Sequence, residues 1–180
     1  MATSTALVTV EEFRKLKDPP GVRVELHNGE VVEVARPKHK HWKIQKGLML
    51  LFDKELGSSG EAGLEFAFRP RPEHELRVAD VSWTSAKRYE HIDDEDNLIG
   101  APEIVVEILS PSNTASEMVE KRDLCFKAGC QQFWIIDSGR RFIEVTPAHG
   151  IPRVYRGSDR IVIGTATYSV DEILGAARRH

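Results

Sequence analysis

Pro102-Glu103-Ile104-Val105-Val106-Glu107-Ile108-Leu109 is a nearly continuous apolar run of strand length, the pattern of a strand covered on both faces. It holds one misfit. A lone carboxylate at Glu107 is costly in such a strand unless it is paired, hydrogen-bonded, metal-bound or protonated. Downstream, Thr114-x-x-Glu117 is a capping box that opens a helix to about Ala128, with Gly129 at the position after its end. Phe133-Trp134-Ile135-Ile136 reads as a second buried strand. Upstream lie strands at about Gly63–Arg69 and Leu76–Trp83. They are preceded by a helix over Lys38–Leu56 in which Trp42, Ile44, Leu48, Leu51, Phe52 and Leu56 keep helical spacing. The polar stretch Thr84–Asn97, with Asp93-Asp94-Glu95-Asp96, reads as an exposed excursion.

The order over residues 38–137 is therefore α-β-β-β-α-β, an α/β (α+β) core with a mixed sheet flanked by helices. Before it, Thr9-x-x-Glu12 is another capping box with Val8 and Phe13 as a staple, predicting a helix over Val10–Lys17 that stops at Pro19-Pro20. Val22–Leu26 and Glu30–Ala35 form a hairpin around His27-Asn28-Gly29. After the core, short strands turn at Ser138-Gly139, Pro147–Pro152 and Gly157, and a terminal helix falls near Val170–Ala177. The reading is one domain over 1–180: helix and hairpin 9–35, core 38–137, and a β-rich extension 138–180.

Composition removes several classes. With 13 Gly and 9 Pro in 180 residues, collagen-like and low-complexity chains are excluded. A charged content of 29% with net charge -3 argues against a disordered charged tail. Cys125 and Cys130 are too few for a disulfide framework or a zinc knuckle, and Cys125 reads as a small buried hydrophobe. Met1–Val8 has neither the basic nor the apolar region of a secretory signal, and no apolar run approaches the roughly 20 residues of a membrane span. The expectation is a soluble cytoplasmic protein with no membrane partner.

Two more residues break their local pattern. Asp80 sits inside Leu76-Arg77-Val78-Ala79-Asp80-Val81, and Lys121 falls on the helix stripe of Met118, Leu124, Cys125 and Ala128. Two strand acids and a lysine near a helix start suit a hard divalent cation such as Mg²⁺, with the ammonium offsetting charge on phosphorus. An ordinary buried ion pair, or a surface Glu117–Lys121 pair, remains the alternative.

These residues resemble the active-site pattern of the PD-(D/E)XK nuclease superfamily, whose restriction-endonuclease-like core has the same element order. More narrowly, the chain resembles the bacterial Uma family of restriction-endonuclease-fold proteins. The matching stretches are Val24–Glu30, Ala79–Ser82, Gly100–Ser112, Glu120-Lys121 and Ala128-Gly129 through Phe133–Asp137. The resemblance implies Asp80 and Glu107 as metal ligands, the Ile108 carbonyl as a third, and Lys121 as the catalytic lysine. It places Glu25 at the site, against the alternative of a solvated hairpin acid paired with Arg23. It sets His41 near the scissile phosphate, against an inert surface histidine, and lets Gln131 or Gln132 bind a water. It also implies a homodimer. Departures are Ala79 in place of proline, Leu109 at the usual lysine position, and Gln132 where relatives carry Glu.

Arg36-Pro37-Lys38-His39-Lys40-His41-Trp42-Lys43-Ile44-Gln45-Lys46 holds five Lys/Arg in eleven residues, so Lys38, Lys40, His41 and Lys43 are candidate nucleic-acid contacts. Arg69 and Arg71 are candidates to extend that track, and a solvated face is the alternative. The resulting expectation is a Mg²⁺-dependent DNA endonuclease, with Mn²⁺ as a substitute. Its rivals are a catalytically silent nuclease-fold module that binds nucleic acid or a protein, and a metal-free hydrolase with two carboxylates.

Overall fold

Thr9 and Thr114 each accept the backbone amide of the glutamate three residues on, at 3.2 Å, and each glutamate returns a hydrogen bond to its threonine's amide. These boxes start α1 (Val10–Phe13) and α4 (Ala115–Lys127). The computed structural model describes residues 7–17, 19–20, 22–34 and 37–176. Readings at Met1–Ala6, Ala35, Arg36 and Ala177 lie outside the described residues. α1 ends four residues before the expected Lys17. Lys15 and Leu16 bond back only three residues, and Leu16 is exposed, so nothing apolar rewards another turn.

Hairpin strands β1 (Arg23–His27) and β2 (Glu30–Val34) pair around Asn28 and Gly29, both at positive φ as this turn requires. α2 (His39–Leu56) follows, then β3 (Gly60–Arg69) and β4 (Arg77–Ser85). Thr84 is buried inside β4, not in an exposed excursion. The excursion holds a short helix, α3 (Ala86–Tyr89), and a two-residue strand, β5 (Leu98–Ile99). β6 (Ile104–Ile108), α4 and β7 (Gln132–Asp137) form a parallel crossover unit. β8 (Phe142–Pro147) and β9 (Arg153–Arg156) extend the sheet, and β10 (Arg160–Ile163), β11 (Ala166–Ser169) and α5 (Val170–Ala176) complete the described chain.

The seven-stranded mixed sheet has the order β5-β3-β4-β6-β7-β8-β9. Alternation along β6 sorts its two faces. Val106 and Ile108 pack with Ile44, Leu48 and Phe52 of α2 and Ile173 of α5, while Val105 packs with Phe133 and with Cys125 of α4. A satellite cluster of Val10, Phe13 and Leu26 joins α1 to the hairpin. Trp42 stands outside the core that its spacing predicts, 43% exposed.

Candidate active site

The β4–β6 ladder pairs Trp83 with Ile104, Ser82 with Val105 and Val81 with Val106, then stops. One more step would set Asp80 across from Glu107. Instead the strands part, and Asp80 Oδ2 accepts the Ile108 amide at 2.7 Å. The neighbouring β3–β4 pair also changes hand here. Leu64 and Val81 pack with the α2 core, but Phe66 and Ala79, two residues along each strand, pack with the α4 core. The residues between them are Glu65, with φ +48°, and Asp80. A non-glycine residue in that region costs of order 1 kcal/mol, and the break in alternation aims Asp80 at α2. There the fully buried Gln45 donates to Asp80 Oδ1 at 3.1 Å, and His41 Nε2 stands 3.0 Å from the same oxygen. Gln45 also donates to Glu65, which pairs with Arg23.

Glu107 is approached from α4. Lys121 Nζ lies 2.8 Å from Glu107 Oε1 while donating to the Val78 carbonyl at 2.8 Å. Oε1 is paired by charge but has no aligned hydrogen-bond donor. Burial pushes the Glu107 carboxyl up to about 8; Lys121 opposes this, and the Asp80 and Glu25 carboxylates add to it. Lys121 is disfavoured as a cation by burial, yet Glu107 and Glu25 hold its ammonium above the usual lysine range. Glu25 is buried beneath the hairpin, not solvated. Burial raises its pKa, but Lys121, the hydrogen bond from His27 at 3.0 Å and Arg23 at 3.8 Å leave it below the usual glutamate range.

Asp80, Glu107, Lys121, Glu25 and His41 thus gather around one end of the β4–β6 pair. Gln131 and Gln132 do not. They lie level with Ile104 at the start of the strands, where Gln131 donates to the Gly129 carbonyl and Gln132 accepts from Trp134. Arg69 is no phosphate track either: it is buried against Asp96, Glu11 and the Pro72 carbonyl. Arg71 is held by Asn28 and Glu75. Asp96 accordingly belongs to an ion-pair network with Arg14 and Arg69, not to a free acidic loop. Lys40 and Lys43 line a cavity of about 350 Å³ with Ser138 and Arg141, and Lys38 is exposed at the cap of α2.

Sequence reasoning missed Gln45, Glu65 and His27 at the site. It also missed the buried pair Glu75–Arg77, which ties the hairpin turn through the Asn28 amide to Glu120 of α4. The alternation of Glu75 and Arg77 around half-buried Leu76 was the available signal.

Among the described residues, no three His, Cys, Asp or Glu side chains stand at metal-ligand spacing. The oxygen donors at hand are the two carboxylates and the Ile108 carbonyl. That set fits Mg²⁺, which keeps most of its waters and takes few protein ligands. Burial, with the Asp80 and Glu25 carboxylates nearby, raises the Glu107 pKa, and a divalent cation there would favour its ionised form.

No helix among the described residues is long and apolar enough to cross a membrane. No curated protein matches the chain. Four solved chains match it. One is a structure from Anabaena variabilis described as a "putative nuclease belonging to DUF820", similar to this chain at TM-score 0.79 and 21% identity over 94% of this chain and 99% of that one. The profile of the Uma2 family, described as "Putative restriction endonuclease", matches residues 10–163. That span takes in the hairpin of Glu25 and every strand and helix that meets at Asp80 and Glu107, and the chain belongs to the Uma2 family.

Proposed function

We propose that the protein is a Mg²⁺-dependent endonuclease, with Mn²⁺ as a substitute, that hydrolyses DNA phosphodiester bonds in the cytoplasm. The observation that carries this reading is Glu107: a carboxylate only 8% exposed, next to a buried ammonium and two further buried acids. A purely structural ion pair does not need Asp80 and Glu25 nearby.

Asp80, Glu107 and the Ile108 carbonyl would hold the cation. When bound, it supplies a water of lowered pKa and screens the phosphodiester charge. The chain's own residues do the rest. Gln45 and the Ile108 amide fix the Asp80 carboxylate, with His41 Nε2 3.0 Å from it. Lys121 keeps a positive charge in water-poor surroundings, where it offsets the charge that builds on phosphorus. Glu107 and Glu25 keep that lysine charged. Lys38, Lys40 and Lys43 on α2 engage backbone phosphates of the DNA. A homodimer lets two such sites act on the two strands.

The test is nicking of supercoiled plasmid by purified protein. Wild type nicks with Mg²⁺ or Mn²⁺ and stops with EDTA. Asp80→Asn and Glu107→Gln lose at least about 100-fold, with unchanged circular dichroism. Undiminished nicking by Glu107→Gln would refute the assignment. DNA binding without metal-dependent cleavage by wild type would return the silent module.

A further inference from the structure

The first half of α2 carries Lys38, Lys40, Lys43 and Lys46 and has no acid in its first turn. At 100° per residue these cations fan over about 200° of the helix surface. Lys40 and Lys43 turn to the cavity with Ser138 and Arg141. Trp42 and Lys46 lie at the other edge of that fan at i and i+4, with Lys38 at the N-cap, next to the stripe from which His41 and Gln45 reach Asp80.

Trp42 is the unexplained member. It is 43% exposed, with Leu50 further along the helix at 44%, and it adds nothing to any of the core clusters. Its ring lies nearly parallel to His39, at 13° and 6.3 Å between centroids, and the Lys46 ammonium is 5.3 Å from its centroid. A part-exposed indole with a lysine one turn before and one turn after it complements a nucleotide: a π face for the base and cations for the phosphates on either side. A base inside a duplex has both faces covered by its neighbours, so only an unpaired base can take this position.

We propose that Trp42, flanked by Lys38 and Lys46, is a stacking platform for an unpaired base, and that the DNA substrate is single-stranded where it passes α2. The proposal rests on the nuclease reading and narrows its substrate class. As the base covers the indole, Lys46 moves from the ring to the strand's phosphate.

The test is equilibrium binding in EDTA, where no cleavage occurs, using a labelled oligothymidylate and a duplex of the same length. Trp42→Ala weakens binding of the single strand about tenfold and of the duplex less than about twofold. Trp42→Phe, which keeps a π face, restores most of the loss. The single strand quenches indole emission in wild type but not in Trp42→Phe, because Trp134 is buried and Trp83 packs against the α2-side core. Equal loss on both substrates, no loss on either, or unquenched emission overturns the platform. Plasmid nicking by wild type and its loss in Glu107→Gln reads the nuclease assignment separately, so the two failures are distinct.

Discussion

Gln45 hydrogen-bonds Asp80 from within α2. Its amide nitrogen serves both the Asp80 and Glu65 carboxylates, and its carbonyl oxygen accepts nothing. Replacing it with leucine keeps the volume and removes the donor. Gln45→Leu is expected to cost about 1 kcal/mol of stability in denaturant melts, the scale of one buried hydrogen bond, and to lower nicking about tenfold as Asp80 loses its orientation. Loss of stability with full nicking would separate Gln45 from the site. Why Gln45 escaped the sequence reading is instructive. Asp80, Glu107 and Lys121 stood out because each is a charge inside an apolar pattern, a contrast visible over a few residues. A glutamine between Ile44 and Leu48 shows no such contrast, since polar positions are ordinary on an amphipathic helix. Glu65 was hidden for another reason: left-handed backbone is legible from glycine or asparagine, not from glutamate.

At the scale of elements, strong local signals survived and weak ones did not. Both capping boxes, the Gly129 stop and the buried strands β6 and β7 appear where reciprocal hydrogen bonding or a long apolar run dictates them. β5 has two residues, and no periodicity can show in two residues. Asp93, Asp94 and Glu95 are exposed as their pattern predicts, but Asp96 is not free, because its cations are distant in sequence: Arg14 on one side and Arg69 on the other. That network fastens the end of α1 and the end of β3 to one loop. Burial would raise the Asp96 pKa, but the Asn97 amide and the two guanidinium groups outweigh it and hold it at about 2, below the usual 3.8. A lowered folded-state pKa means stability that is present above about pH 4 and lost as pH falls through about 2. Asp96→Asn is expected to cost about 1 kcal/mol near neutral pH, a figure discounted for partial exposure, and the gap from wild type should close by about pH 2. Chemical denaturation at several pH values measures it; a gap that persists at pH 2 would assign the effect to packing.

For the molecule as a whole, the α-β-β-β-α-β order was readable because each of its elements carries its own apolar periodicity. The convergence on Asp80 was not, because it depends on where two cores meet across a sheet that changes hand. The hairpin bearing Glu25 shows a further consequence of that layout. Its backbone is tied through Leu26 and Leu76, which exchange two hydrogen bonds, through Gly29 to the His74 carbonyl and through the Asn28 amide to Glu75; its apolar side chains pack in the small cluster with α1. The seven strands keep their own ladders and both large cores without it. Hydrogen exchange should therefore show the amides of Leu26, Gly29 and Leu76 opening together at a lower free energy than Val105 and Phe133. One of the two acids that hold Lys121 charged is carried on this clasp while Glu107 stays with the sheet, so a local excursion can shift the charge around that lysine and leave the scaffold folded.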